Sequence, residues 1–333
     1  MSGRSEKALK YALQHGITTI RDMAGDCQYL EDLKKSIKSG ETFGPDIYYS
    51  ALVGSEDFIK HDKRAIICTP TEYEIGKAPG MRIVNDNTDL DQLMKVSLDI
   101  GATGIKIYEG LSTELVNEVT TKAHNFGLKV WSHGIVVPAT LEDVINAGVN
   151  TISHAAFFTF PEDWSLAKYG STVFDTTLVS SDKFNQLIQT MKKNKTVLDP
   201  TLTLSFRMDK MKSKDDKLIE FKKNFICKFI KKLHDSGIKI IAGTDIFLPS
   251  KPNIVPELHE EIRILSDDVG LGKLEALKGA TIYGAEVLGI ENKYGSIETG
   301  KIANLVVLNS NPLSEIENTS DIDCVIKNGK IIK

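Results

Sequence analysis

The sequence predicts an α/β fold in which repeated strand–helix units gather into a barrel of parallel strands. Three observations predict it. Short β-branched runs alternate with helix-period segments from residue 7 to about residue 280, the mark of successive βα units. The order helix, glycine, strand recurs as QHGITTI, NFGLKVW, NAGVNTI and DSGIKII, and a glycine past the last helical turn supplies a left-handed cap. Polar residues able to serve a metal ion also stand at the C-terminal tips of several runs, the face on which such barrels build their chemistry.

The elements follow in order. The opening MSGRSEKALKYALQHG reads as a charged amphipathic helix and not as a secretion signal. Strands are expected at 17–21, 46–52, 104–108, 129–132, 151–153, 196–198 and 239–242, seven where a closed ring of this type needs eight. Two helices stand out, 113–126 ended by Gly127 and 215–236 ended by Gly237. Residues 55–87, with Pro70 and Pro79, read as an extended loop over the active face. These units make residues 1–288 one barrel. After Leu288 the texture changes to short strands and tight glycine turns, with a hairpin signal at Asn328-Gly329. Residues 289–333 are therefore expected to form a small β-unit beside the barrel.

Composition narrows the class. A chain of 333 residues that is 41% hydrophobic and 26% charged is ordinary for a globular protein. A net charge of −4 gives no reason to expect nucleic acid or an anionic membrane as partner. No apolar run nears the roughly 20 residues that cross a bilayer. Cys27, Cys68, Cys227 and Cys324 form no C-x-x-C pair, so reduced thiols and a cytoplasmic setting are expected.

The chemistry-bearing residues are Lys106 in GIKIYEG, His133 in VWSHG, His154 in TISHA and Asp245 in IAGTD. A desolvated lysine can be neutral and add carbon dioxide, giving an anionic carbamate ligand. A lone lysine at such a place is more often one whose charge escapes at the strand end. The two histidines lie one strand–helix–strand unit apart, so neighbouring strands present two imidazoles, donors that suit zinc, iron or nickel. Asp245 follows a Gly-Thr turn; it is either a helix N-cap or a carboxylate that moves a proton for bound water. His124 and His234 are expected to be structural, and His15 to lie on the opposite face. His259, and less so His61, fall in loops on the active side and are candidates to touch substrate.

Taken together these residues resemble the amidohydrolase superfamily, in its branch of imidazolonepropionases and metal-dependent Xaa-Pro dipeptidase-like enzymes. The matching words are HGITTIRDMAG, GATGIKIYEG, LKVWSHG, INAGVNTISHA, LDPTLT, IKIIAGTD, LEALKGATIYGAEVLGI and YGSIETGKIANLVVLNSNPL. The resemblance implies a TIM-like (β/α)8 barrel with a β-sandwich appendage, one or two divalent metals (zinc foremost), and hydrolysis of a C–N bond in a small substrate. Lys106 would be the carboxylated bridge, with His133 and His154 ligands of one metal. Asp245 would touch the other and act as acid and base. The family's leading strand ends in His-x-His, and no two of this chain's histidines are spaced so. The expectation is thus a truncated form of low activity, lacking the first barrel strand and the leading part of the sandwich. A non-catalytic scaffold or oligomerisation protein is the alternative, and a homo-oligomer is compatible with either.

Overall fold

The computed structural model describes residues 2–160, 174–246 and 255–332, and among them eight strands join in one sheet. They are β1 (Thr19–Asp22), β2 (Asp46–Gly54), β3 (Lys77–Ala78), β4 (Met81–Ile83), β5 (Gly104–Ile107), β6 (Lys129–His133), β7 (Thr151–Ser153) and β8 (Val197–Asp199). Every pairing is parallel except that of β3 with β4. Helices occupy most of the crossovers, as parallel strands require. The helix Thr113–Asn125 starts on the Ser112 side chain, and Asp216–Asp235 starts on that of Asp215. Gly127 and Gly237 follow them with positive φ, as expected.

Successive strand residues point to opposite faces, and here both faces are buried. Tyr49, Ala51, Val53, Ile105, Ile107, Val130, Ile152 and Leu198 face outward into the main core, with Met94, Val119 and Ile145 from the covering helices. Burying one such side chain is worth about 1.5–3 kcal/mol, which explains why the strands read as continuous apolar runs. Inward lies a row in register: Leu52, Lys106, Trp131, Thr151 and Val197. Trp131 and Val197 pack with Ile241 into an apolar floor. One step nearer the C-terminal tips, His133, Ser153 and Asp199 form the next row.

Two expectations are corrected. The run 239–242 does not become a strand: Ile240 meets Leu198 through a single parallel bridge. Its far side is occupied by a helix, with Ala242 N–H donating to Gly279 O at 3.2 Å. Residues 55–87 are also no open loop. They fold into the helices Glu56–His61 and Lys63–Cys68 followed by the β3–β4 hairpin. The cause is the length of β2: its first four residues pair with β1, and β4 takes the same edge farther on, with Leu52 opposite Met81.

Strand pairing among the described residues leaves β1, with the β3–β4 hairpin farther along the same edge of β2, and the 239–242 run as the two ends of the arc. A side-chain pair spans from one end toward the other. Arg21 of β1 donates to Asp199 of β8 at 2.7 Å, and its guanidinium lies 4.8 Å over the Trp131 ring.

The tail forms a three-stranded antiparallel sheet of β9 (Leu305–Leu308), β10 (Ile322–Lys327) and β11 (Lys330–Ile331). Asn328 and Gly329 make its two-residue turn, with φ of 51° and 75°, as a type I′ hairpin demands. Lys327 pairs with Asp46 at the start of β2, and Ile322 and Val325 pack on Leu13 of the opening helix. All four cysteines are free. No helix among the described residues is long and apolar enough to cross a membrane.

Candidate active site

Lys106 rises from the floor row. It is 2% exposed, and its Nζ donates to Ser153 Oγ, one row higher, at 3.0 Å. Burial pulls its pKa down to about 7; the Asp245 carboxylate opposes this, the Arg21 charge adds to it, and Asp199 opposes it. The amine is thus held near the balance point between charged and neutral.

Two imidazoles stand beside it. The rings of His133 and His154 meet edge to face with centroids 4.9 Å apart. His133 is packed between Tyr108, at 3.8 Å, and Phe157, at 5.1 Å. Both of its ring nitrogens are buried without a hydrogen-bond partner among the described residues. His154 is different: its Nδ1 pairs with Thr201 Oγ1 at 2.8 Å. Burial, followed by the Lys106 charge, holds His133 well below the usual imidazole range and His154 down at about 3. Both shifts favour the neutral ring, which carries one lone pair able to face a ligand.

Asp245 stands at the exposed rim, at the end of the run 239–242, with φ of 51°. The surrounding protein raises its pKa, and the Lys106 charge draws it back. The two groups therefore share one electrostatic environment.

Sequence reasoning missed several neighbours. Asp199 lies beside Lys106 and Asp245 in charge terms, its pKa raised by burial and lowered by Arg21. It stands at the tip of β8, so the strand-tip rule that found the others applies to it equally. Gly243 is needed for its placement, because a Cβ there would come within 2.1 Å of Asp199 Oδ1. Ser153 and Thr201 carried no sequence signal of their own. Neither did Arg64, whose guanidinium lies 5.3 Å over the Tyr108 ring while bonded to Asp62.

The other histidines divide as follows. His259, expected to touch substrate, is engaged elsewhere: Nδ1 pairs with Thr319 Oγ1 and Nε2 with His15 O, both at 3.1 Å. His15 precedes β1, so this contact lies at the opposite end of the strands and ties Thr319 of the tail to the segment before β1. His61 is exposed and paired with Asp57, and His124 bonds Asn150 Oδ1 at 3.1 Å.

Can these residues hold a cation? Among the described residues, no group of three His, Cys, Asp or Glu side chains is arranged to do so alone. The three clustered donors are two neutral imidazoles and an amine, so this trio gains an anionic member only if Lys106 is carboxylated, with the Asp245 and Asp199 carboxylates near enough to interact with its charge. The orphaned nitrogens of His133 are the observation that fits a ligand role, since buried polar groups otherwise find partners.

Comparison with known proteins supplies the family. The profile of the Amidohydrolase family matches residues 2–332. The chain belongs to the amidohydrolase family. A curated relative, the 5-methylthioadenosine/S-adenosylhomocysteine deaminase of Thermodesulfovibrio yellowstonii, is 36% identical over 127 residues, 32% of this chain and 27% of that protein. The imidazolonepropionase of Geobacillus kaustophilus is 30% identical over 105 residues, 31% of this chain and 24% of that one. The matched stretches thus span about a quarter of these relatives. Among solved structures, a Xaa-Pro dipeptidase with methionine bound superposes with a TM-score of 0.71 at 24% identity, covering 99% of this chain and 77% of the other. The ochratoxinase of A. niger gives 0.75 at 20% identity, covering 99% and 75%. This amidohydrolase-family chain therefore shares its fold along nearly its whole length with both.

Proposed function

We propose that this amidohydrolase-family chain carries the site of a metal-dependent hydrolase that cleaves a C–N bond, amide or cyclic amide, in a small substrate. The observation that carries the reading is His133, two buried ring nitrogens without a partner beside a second neutral imidazole. The names of the relatives, a deaminase and an imidazolonepropionase, support the bond type.

His133, His154 and Lys106 would hold the cation, zinc foremost, and Asp245 would face it from the rim. A divalent cation there supplies Lewis-acid activation of water and of the scissile carbonyl. The remaining roles belong to the chain. Lys106, neutral in part near pH 7, adds carbon dioxide and releases a proton, turning an amine into a two-oxygen anion. Asp245, its affinity for protons raised by its surroundings, takes a proton from the attacking water and returns it to the departing nitrogen. The aromatic walls, Tyr108 and Phe157, shield His133 from bulk water.

The test loads the purified chain with zinc, manganese or iron in bicarbonate buffer and follows N-acyl amino acids, short dipeptides and imidazolones. Zinc retained through dialysis by the wild type and lost by Lys106→Met is expected, with any hydrolysis falling at least 100-fold in that variant. A wild-type chain that retains none of these metals and gains no thermal stability from them would sink the proposal in favour of a non-catalytic scaffold.

A further inference from the structure

The turn after β8 grips His154 at three points. His154 N–H donates to Asp199 O at 2.8 Å, Ala155 N–H donates to Pro200 O at 3.1 Å, and the ring Nδ1 meets Thr201 Oγ1 at 2.8 Å. Both partners of the side-chain contact have left-handed backbones, His154 with φ 70° and Thr201 with φ 51° and ψ 47°. A β-branched residue adopts that conformation only when its surroundings impose it.

Glu261 anchors the two residues that follow Thr201. This carboxylate, fully buried on the helix Glu257–Arg263, accepts from Leu202 N–H at 2.9 Å and from Thr203 N–H and Oγ1, each at 2.7 Å. It thereby pins the first turn of the helix Leu202–Lys212, directly after Thr201. The Thr201 hydroxyl faces His154 Nδ1. His133 has no such partner, so only one of the two imidazoles is set in advance.

We propose that Thr201 is a positioning residue that holds the His154 ring by its Nδ1 edge, with Nδ1–H donating to Oγ1 and the Nε2 lone pair left for a ligand. The inference rests on the preceding reading only for what Nε2 then binds; the tautomer itself is a property of the metal-free chain. A partner of this kind on a ligating histidine is worth about 10–100-fold in metal affinity.

The experiment labels the histidines with nitrogen-15 and reads each tautomer by two-bond proton–nitrogen correlation in metal-free protein. Zinc affinity is then measured by competition with a chelator. His154 is expected as Nδ1–H in the wild type and in Thr201→Ser. In Thr201→Val, equal in size without the hydroxyl, the proton redistributes toward Nε2 and the zinc dissociation constant rises about tenfold or more. Thr201→Gly keeps the test alive should the valine variant fold badly: it relieves the left-handed backbone while removing the hydroxyl, so the tautomer shifts although the thermal midpoint holds or rises. An Nε2–H wild type, or a tautomer unchanged in both Val and Gly variants, overturns the proposal. So does a serine variant that loses as much affinity as valine in step with its thermal midpoint. A wild type that takes up no zinc while the tautomer pattern holds supports the positioning role and overturns the metal reading alone.

Discussion

Leaving the two ring nitrogens of His133 buried without a partner costs stability, about 1–3 kcal/mol for each group, unless something else engages them. His133→Leu should therefore raise the unfolding free energy of the chelator-treated protein by about 1 kcal/mol while abolishing zinc retention. Denaturant titration with and without chelator checks this, and a leucine variant less stable than the metal-free wild type would contradict it. Lys106, His133, His154 and Asp245 stood out as candidates in the sequence because each is a polar residue at or near the tip of an apolar run. Asp199 obeys the same rule and was overlooked inside LDPTLT. Arg21 was not legible at all, since its partner lies 178 residues away and only the curvature of the sheet brings the two together. Thr201 acquires its role from a backbone conformation that residue type argues against.

At the scale of elements, the buried clamp from Glu261 to the helix Leu202–Lys212 makes a pH-dependent contribution. Burial raises its pKa from 4.5 to about 7, against the hydrogen bonds that it accepts. A carboxyl whose folded pKa is raised binds its proton more tightly in the native state. The penalty is thus absent below about pH 4.5, grows between there and pH 7, and is complete above. The stability of wild type relative to Glu261→Gln should fall across that window and level off beyond it, as read by denaturation at several pH values; a flat difference would refute the assignment. Six of the seven expected strands form as strands, because β-branched runs closed by turns are a strong signal. The hairpin in residues 55–87 escaped notice because strands of two and three residues are too short to show a period.

For the whole molecule, the arc of strands is spanned by the Arg21–Asp199 pair, whose side chains are 11% and 8% exposed. Removing one member of a buried pair strands the other charge, at about 3–5 kcal/mol. Arg21→Met should cost that much, and the double variant Arg21→Met/Asp199→Asn should recover most of it. A double-mutant cycle decides, and a single-variant loss under about 1 kcal/mol would show that the pair is incidental. The fold class was legible from the rhythm of helix, glycine and strand. How the ends of the sheet meet was not, because that depends on side chains that no local pattern announces.

The alternation of facing directions along each strand has a practical consequence for anyone wishing to engineer this chain. Ile105, Ile107, Val130, Ile152 and Leu198 answer only to the helices, whereas their immediate neighbours Lys106, Trp131, Ser153 and Asp199 answer to the interior. A combinatorial library confined to the first set can be selected for heat tolerance while the interior row keeps its side chains, whereas one that reaches Trp131 or Asp199 also alters the apolar floor and the Arg21 pair that span the arc.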